Sequence, residues 1–284
     1  MSNLVYLYLL APLHTGGTTQ EGNLLGIARE SHTDLPYIPS STIRGRQRAS
    51  VSDRLIRTQL FGPELKDLED RDFVEQYQSE TGHQLTQLEQ GNIWIGDGSI
   101  LWLPVPSLSH GVIWITCPML LHRWKRFNPG LPEIPPKYST NLNSNRSAIY
   151  LKDAIFKNQQ LQNWNEWRAF IPHHETTQVI ERVLVLSDRD CAILIQMSLW
   201  RQVKIKLDEH KTVDGGFRYE EAIPPETIIY FPWGLTSAAN GQSAEAEDKF
   251  KEHLEKHEII QIGGQESLGR GFVQQWSGTT ANQS

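Results

Sequence analysis

Residues 12–17 read Pro-Leu-His-Thr-Gly-Gly, and residues 36–48 read Pro-Tyr-Ile-Pro-Ser-Ser-Thr-Ile-Arg-Gly-Arg-Gln-Arg. Gly16 and Gly17 can adopt backbone angles that are closed to other residues, so the first stretch can approach a ligand closely. The prolines of the second stretch disfavour helix directly before them. Together the two stretches predict a loop over residues 11–39, glycine-rich at first and then extended, and an arginine-rich helix over about residues 41–59.

The start of this helix suits a polyphosphate. Ser40, Ser41 or Thr42 can cap it, and the free N–H groups of a helix start attract anions. The segment from 41 to 57 carries five arginines, namely Arg44, Arg46, Arg48, Arg54 and Arg57. Guanidinium groups form strong charge-assisted hydrogen bonds with phosphate. The alternative is a solvated arginine face without a ligand.

Length and charge limit the classes of function. The chain has 284 residues, and we expect one domain over 1–284 with insertions at about 63–90 and 128–178. A net charge of −6 argues against indiscriminate coating of DNA, although a local basic strip on an acidic body is compatible with it. Two isolated cysteines provide no disulfide framework.

The N-terminal residues 4–10 are apolar and include Val and Tyr, which predicts a strand that is buried on both faces. This run is too short to span a bilayer, and it lacks the basic start of a signal peptide. The sequence therefore predicts a cytoplasmic protein without a membrane partner.

Strands and helices alternate along the rest of the chain. Further strands are predicted at 92–95, 100–105, 111–116, 183–186, 204–207, 217–219, 228–233 and 272–276, and further helices at 119–127, 190–201 and 244–257. A hairpin should join 92–95 to 100–105, and a second hairpin should protrude at about 203–222. The order predicts an α+β fold, an elaborated ferredoxin-like (RRM-like) domain with long insertions.

A second glycine-rich loop lies near the C-terminus, where residues 262–272 read Ile-Gly-Gly-Gln-Glu-Ser-Leu-Gly-Arg-Gly-Phe. The loop lacks the Gly-Lys-Ser/Thr of a Walker motif, and it leads into a strand rather than a helix, unlike a dinucleotide fingerprint. It resembles the terminal glycine-rich loop of the RAMP superfamily of CRISPR-associated RNA-binding proteins.

Further stretches resemble one branch of that superfamily, the repeated backbone subunit of type III-B (Cmr-type) CRISPR–Cas effector complexes. They are residues 38–45, 60–62, 103–108, 114–118 and 211–226. The resemblance implies that copies of the chain stack along a CRISPR RNA, beside other effector subunits, and that the guide pairs with a complementary target RNA. It therefore implies a role in antiviral defence.

The resemblance also assigns residues to the RNA. The positions expected to contact the guide backbone are His14, Gly16, Gly17, Arg29, Ser40, Ser41, Thr42, Arg44, Arg48, Gly263, Gly264 and Arg270. The hairpin at about 203–222 corresponds to a thumb that wedges between guide and target, with Val213, Phe217, Arg218 and Tyr219 at the nucleic acid. Without the resemblance, an ordinary solvated hairpin would be the expected interpretation.

Active members of the family carry an aspartate after the first strand, and the matching position here is Leu24. Leucine can neither accept a proton nor bind a hard cation. We therefore expect no catalytic residue, no metal site and no stably bound cofactor. The alternative is a metal-dependent endoribonuclease that uses Glu21 or Asp34 with Mg²⁺.

Three histidine motifs are weaker candidates. His14 could act as the base of a metal-independent guide-processing ribonuclease, but ordering a turn or touching RNA fits its loop better. His173-His174-Glu175 lacks a third metal ligand at a recognisable spacing. His253 and His257 lack the glutamate geometry of H-E-x-x-H, which predicts a solvated helix face.

Overall fold

A computed structural model describes residues 3–21, 24–142, 148–210, 212–239 and 243–278, without the side chains of 18–21, 206, 207, 214, 238 and 243. The helices are α1 Ser40–Ser50, α2 Arg54–Phe61, α3 Leu65–Glu69, α4 Arg71–Thr81, α5 Pro118–Lys125, α6 Asp188–Ser198 and α7 Ser243–Lys256. The first strands are β1 Asn3–Leu9, β2 Gly16–Glu21, β3 Leu24–Ile27, β4 Tyr37–Ile38, β5 Ile93–Ile95, β6 Gly98–Ser107, β7 Gly111–Thr116 and β8 Ser139–Thr140. The remaining strands are β9 Ala148–Tyr150, β10 Ile155–Lys157, β11 Gln162–Asn163, β12 Val183–Val185, β13 Trp200–Leu207, β14 Val213–Ala222, β15 Ile228–Leu235, β16 Ile259–Gln261 and β17 Phe272–Ser277.

The central sheet contains a four-stranded antiparallel core in the order β17-β1-β15-β6. In chain order these are the fourth, first, third and second strands of a ferredoxin-like unit, in which α1 and α2 follow the first strand and α7 follows the third. The predicted α+β ferredoxin-like fold is therefore confirmed. The connection between its second and third strands, β6 and β15, contains β7, the strands β8, β11 and β12 beyond it in the sheet, and the hairpin of β13 and β14.

Both faces of this sheet are buried, as the apolar run of β1 predicts. Val5, Leu7 and Leu9 pack in one cluster with Ile43 of α1 and Phe250 of α7. The neighbours of these β1 residues along the strand face the opposite side. There they pack with apolar residues of α5 and of the segment from 164 to 185. No helix in the described part of the chain is long and apolar enough to cross a membrane.

The predicted insertions contain regular structure. Residues 63–90 form α3 and α4, and residues 128–178 contribute β8 and β11 to the far edge of the sheet. Trp102 of β6 donates a hydrogen bond from Nε1 to the carbonyl of Phe170 at 2.9 Å. The second insertion therefore forms the cover of one sheet face.

Three sequence-based expectations about local structure are wrong. The predicted loop at 11–39 contains β2, β3 and β4. The predicted helix at 41–59 is divided into α1 and α2, because Val51 is extended and the Asp53 side chain caps α2 by accepting from Ile56 N at 3.0 Å. The predicted hairpin at 92–105 does not form: β5 and β6 both pair with β15, at successive positions along it.

Candidate nucleic-acid interface

The two glycine-rich stretches lie against each other. We call residues 12–17 the N-terminal glycine segment and residues 262–271 the C-terminal glycine loop. Gly264 N donates to His14 O at 2.9 Å, and Gly271 N donates to Pro12 O at 2.9 Å. At Gly263 φ is +84°, and a Cβ there would lie 2.4 Å from His14 O. Only glycine fits this close approach of two backbones.

The His14 side chain faces the interior. Its Nδ1 lies 2.7 Å from the carbonyl oxygen of Glu221, and the residue is buried. The imidazole therefore ties the N-terminal glycine segment to the end of β14. This placement gives no support to a role as an exposed general base.

The segment that leads into α1 lies close to the N-terminal glycine segment. Thr15 Oγ1 donates to Tyr37 O at 3.3 Å, and Tyr37 directly precedes the turn into α1. Pro39 is the N-cap of α1 and no side chain caps the helix in the predicted way, so the expected capping by Ser40, Ser41 or Thr42 is wrong. The carboxylate of Asp97 accepts instead from Ser40 N at 2.7 Å, and thereby occupies the helix start with a negative charge.

Two predicted guide contacts, Arg44 and Arg48, bond to the end of α2 and to the residues that follow it. Arg48 donates from Nη1 to Gly62 O at 2.6 Å and from Nε to Glu64 Oε1 at 3.1 Å. Arg44 donates to Phe61 O, and burial together with the nearby charge of Arg48 lowers its pKa. Arg44 thus attaches α1 to the end of α2, and Arg48 attaches it to the first insertion at Glu64. Neither the phosphate interpretation nor the solvated-face interpretation anticipates these contacts.

The hairpin of β13 and β14, which we call the thumb hairpin, is longer at its base than predicted and begins at Trp200. Its strand β14 pairs in parallel with β3, and β3 pairs in antiparallel with β2. These four strands, in the order β13-β14-β3-β2, form a second sheet that we call the thumb sheet. The predicted loop at 11–39 therefore contributes two strands to the thumb sheet.

The two faces of the thumb hairpin differ in chemistry. One face carries the cross-strand pairs Val203–Tyr219 and Ile205–Phe217, and all four side chains are exposed. The pair Lys204–Arg218 lies on the other face, because neighbouring residues of a strand point to opposite sides. Val213, near the tip, is also exposed. Glu220 lies on that face too and forms an ion pair with Lys204 at 2.7 Å, whereas Arg218 is exposed. Exposed apolar side chains and an exposed guanidinium are suited to bases and phosphates respectively.

A cleft of about 560 Å³ opens beside the base of the thumb hairpin. Its lining includes Leu24, Gly16, Asp34, Gln196 of α6 and the ion pairs described next. Leu24 is the cross-strand neighbour of Tyr219, so it extends the apolar face of the hairpin toward the cleft.

Salt bridges engage most of the charges in this cleft. The buried carboxylate of Glu221 accepts from Arg29 at 2.8 Å and from Arg201 at 2.9 Å. Glu30 accepts from Arg123 at 2.8 Å. Arg29, a predicted guide contact, is thus held in place by Glu221 and by a hydrogen bond to Gln196.

Asp34 is the acid of this cleft with the most solvent contact. Its side chain is 74% exposed, and its carboxylate lies 4.0 Å from Arg29 Nη1. The Glu21 side chain lies outside the described residues. The described part of the chain contains no group of three or more His, Cys, Asp or Glu residues that could hold a metal ion.

Arg270 and Arg201 have partners that the sequence patterns do not indicate. Arg270 was predicted to contact the guide, but it is buried against Trp200 and Gln202 of β13. Arg201, which completes the site of Glu221, was not predicted at all. The alternation of charged and apolar residues along β13 is the signal that could have assigned Arg201 to the face of the cleft.

Comparisons with known proteins agree on one family. A family model described as the RAMP superfamily matches residues 6–274. The chain is 29% identical, over 95% of its length and 93% of the relative's, to a Pyrococcus furiosus protein named CRISPR system Cmr endoribonuclease Cmr4.

Two solved structures are similar in fold. Oligomeric Cmr4 from Pyrococcus furiosus has a TM-score of 0.69 at 23% identity, with 98% of this chain and 97% of that chain covered. A chain of the type III-B Cmr-beta complex bound to cognate target RNA has a TM-score of 0.72 at 18% identity, with the same coverage of both chains.

Proposed function

Because this chain belongs to the RAMP superfamily, we propose that it is a CRISPR RNA-binding backbone subunit of a type III-B interference complex that acts in antiviral defence. Its partners are a CRISPR RNA, the complementary target RNA, other effector subunits and further copies of itself. We propose that residues 1–284 act as one RAMP domain in the cytoplasm. The name of the Pyrococcus furiosus relative and the complexes formed by the structural neighbours support this assignment.

One observation carries the proposal. The C-terminal glycine loop lies on the N-terminal glycine segment, next to the base of a hairpin with one exposed apolar face and with Arg218 exposed on the other. Glycine main chain and cationic side chains can hold a phosphate backbone without reading its sequence. Exposed aromatic side chains such as Phe217 and Tyr219 can stack on bases, which contributes about 1–3 kcal/mol per base. A subunit that accepts any guide needs this combination.

The test is to purify the tagged chain from cells that also express the other effector subunits and a CRISPR array, and to sequence the RNA that is retained. We expect mature CRISPR RNAs with every spacer of the array represented. Retention should fall steeply as salt is raised, because phosphate contacts release counterions. Recovery of cellular RNAs in proportion to their abundance would contradict the assignment.

We further propose that this protomer does not cleave target RNA, because Leu24 replaces the acid of active family members. Leu24 lines the cleft beside Tyr219. Arginines engage Glu30 and Glu221, so neither is a free base. These acids do not form a donor set for Mg²⁺, and the protomer on this proposal needs no cofactor.

The substitution Leu24→Asp tests this explanation. In the assembled complex with Mg²⁺ in the buffer, wild-type protein should leave labelled target RNA intact, and Leu24→Asp should produce cuts at regular intervals. Leu25→Asp is the matched control, because it places the same charge on the opposite face of β3 and outside the cleft lining. Failure of Leu24→Asp to cut would mean that more than this one acid is missing.

The second candidate function is a metal-dependent endoribonuclease that uses Asp34 or Glu21. The exposure of the Asp34 carboxylate in the cleft favours this candidate. It predicts that the wild-type complex cuts target RNA in Mg²⁺ and that Asp34→Asn or Glu21→Gln abolishes the cuts. The same gel that scores Leu24→Asp therefore decides between the two candidates.

A further inference from the structure

Arg270 is a member of the C-terminal glycine loop whose side chain is directed at the thumb hairpin. Only 5% of the residue is exposed. Its Nη2 donates to Gln202 Oε1 at 2.6 Å, and its Cζ lies 3.9 Å from the ring centroid of Trp200. Trp200 and Gln202 are among the first three residues of β13, where the thumb hairpin begins.

The charge of Arg270 also acts on the neighbouring strand of the hairpin. Glu220 is the cross-strand partner of Gln202 and is buried. Burial raises the pKa of Glu220, but hydrogen bonds from Lys204 and Gln265 and the charge of Arg270 hold it below its ordinary value. Glu220 therefore stays ionised between two cations at the base of the hairpin.

The main chain of Arg270 is fixed just as firmly. Gln261 Nε2 donates to Arg270 O and to Gly263 O, each at 3.1 Å, and so joins the two ends of the loop. Ile262 N donates to Gly271 O at 2.8 Å. The backbone of Arg270 thus belongs to a rigid loop, and its guanidinium belongs to the thumb hairpin.

We propose that Arg270 is a positioning residue, which holds the thumb hairpin at a fixed angle to the C-terminal glycine loop. This inference rests on the proposed function. On this proposal the loop holds the guide backbone, and the apolar face of the hairpin meets the target strand. The fixed angle keeps these two surfaces at a constant separation. A planar guanidinium is suited to this task because it stacks on an indole and donates in a defined direction, which an ammonium group does not.

The test compares Arg270→Lys and Trp200→Leu with wild-type protein in the reconstituted complex. We expect guide affinity within twofold of wild type with an unchanged salt dependence, and at least a tenfold loss of target RNA affinity. Amide hydrogen exchange should accelerate in β13 and β14 and stay unchanged in β1 and β17. Arg189→Lys, at an exposed arginine of α6, is the control and should match wild type in every measurement.

Two results would overturn the proposal. A loss of guide affinity in Arg270→Lys, with the salt slope reduced by about one phosphate contact, would mean that Arg270 binds the guide directly. Unchanged target affinity and hydrogen exchange in both variants would mean that the contacts of Arg270 with Trp200 and Gln202 do not position the hairpin. If Arg270→Lys fails to fold, Gln202→Ala removes one partner of Arg270 and is scored in the same way. Failure of the proposed function is distinct, since wild-type protein would then retain no CRISPR RNA.

Discussion

His253 of α7 is one end of a buried chain of side-chain hydrogen bonds that continues through α1 to β17. Its Nε2 lies 3.0 Å from Gln47 Oε1, and Gln47 Nε2 donates to Gln275 Oε1 at 2.7 Å. Gln275 Nε2 then donates to the carbonyl of His257 at 2.7 Å. The predicted solvated face is thus wrong for His253, because the polar side chains it bonds to lie on elements far away in sequence.

This network predicts a dependence of stability on pH. Burial, with smaller effects of His257 and Lys256, lowers the pKa of His253 to about 4. The unfolded chain, with a pKa near 6.5, then binds a proton more readily than the folded chain. Stability contributed by neutral His253 is therefore present above about pH 6.5 and is lost as the pH falls toward 4.

The measurement is urea unfolding of wild-type protein and His253→Gln at pH 7 and pH 4.5. Wild-type protein should lose more stability than the variant over this interval, by about 1–2 kcal/mol after allowance for solvent screening. His83→Gln is the control, because His83 is exposed and should change nothing. Parallel pH profiles for wild type and His253→Gln would refute the assignment.

At the scale of single residues, the family motif predicts that Leu24 stands where active members carry an acid, and Leu24 lies in the lining of the cleft. The sequence does not assign partners to the arginines of α1 and α2, because a cluster of cations attracts phosphate and carboxylate equally well. Arg48 meets Glu64, and Arg54 meets the buried carboxylate of Asp67 at 2.8 Å. Both acids belong to the first insertion, whose docking site is not encoded in any local pattern.

Among the elements, the C-terminal glycine loop is the clearest case in which composition dictates conformation. Gly263, Gly269 and Gly271 all have positive φ, a region that residues with a Cβ rarely adopt. Their surroundings differ, since a Cβ at Gly263 would collide with the backbone of His14 and a Cβ at Gly269 would meet no atom within 4 Å. An alanine at Gly269 would therefore be strained by its backbone angles alone. An alanine at Gly263 would also clash with the backbone of His14.

This difference makes a prediction for alanine substitutions. Gly269→Ala should cost about 1 kcal/mol from backbone strain alone. Gly263→Ala should cost at least about 2 kcal/mol more, because the clash forces the N-terminal glycine segment away from the loop. Thermal unfolding of the two variants measures the difference, and equal melting temperatures would show that the two glycine stretches do not depend on close contact.

The prediction of element boundaries failed at a helix break and at a hairpin. The single helix expected at 41–59 is interrupted at Val51, and Asp53 begins a new helix there. The Asp cap is visible in the sequence, but the periodicity of apolar residues across it gives no sign of a break. The hairpin expected around Gly96 failed because β15 is long enough to pair with both strands.

For the whole molecule, the alternation of strands and helices was sufficient to predict the ferredoxin-like core, even though long insertions separate its strands in the chain. The thumb sheet was not predicted. It joins residues near 24 to residues near 219, and no local pattern records a pairing between segments so far apart in the chain. The cleft lies at that junction, so its position depends on the same unpredicted pairing.

The parallel pairing of Leu24 with Tyr219 makes tolerance to length changes uneven along this chain. An added residue at the hairpin tip only lengthens a solvent-facing turn. An added residue inside β3 would slip the register by one and reverse the direction of every β3 side chain beyond it. A point substitution can therefore exchange a leucine for an acid at the cleft without rebuilding the scaffold, whereas an insertion or deletion there would remove the position itself.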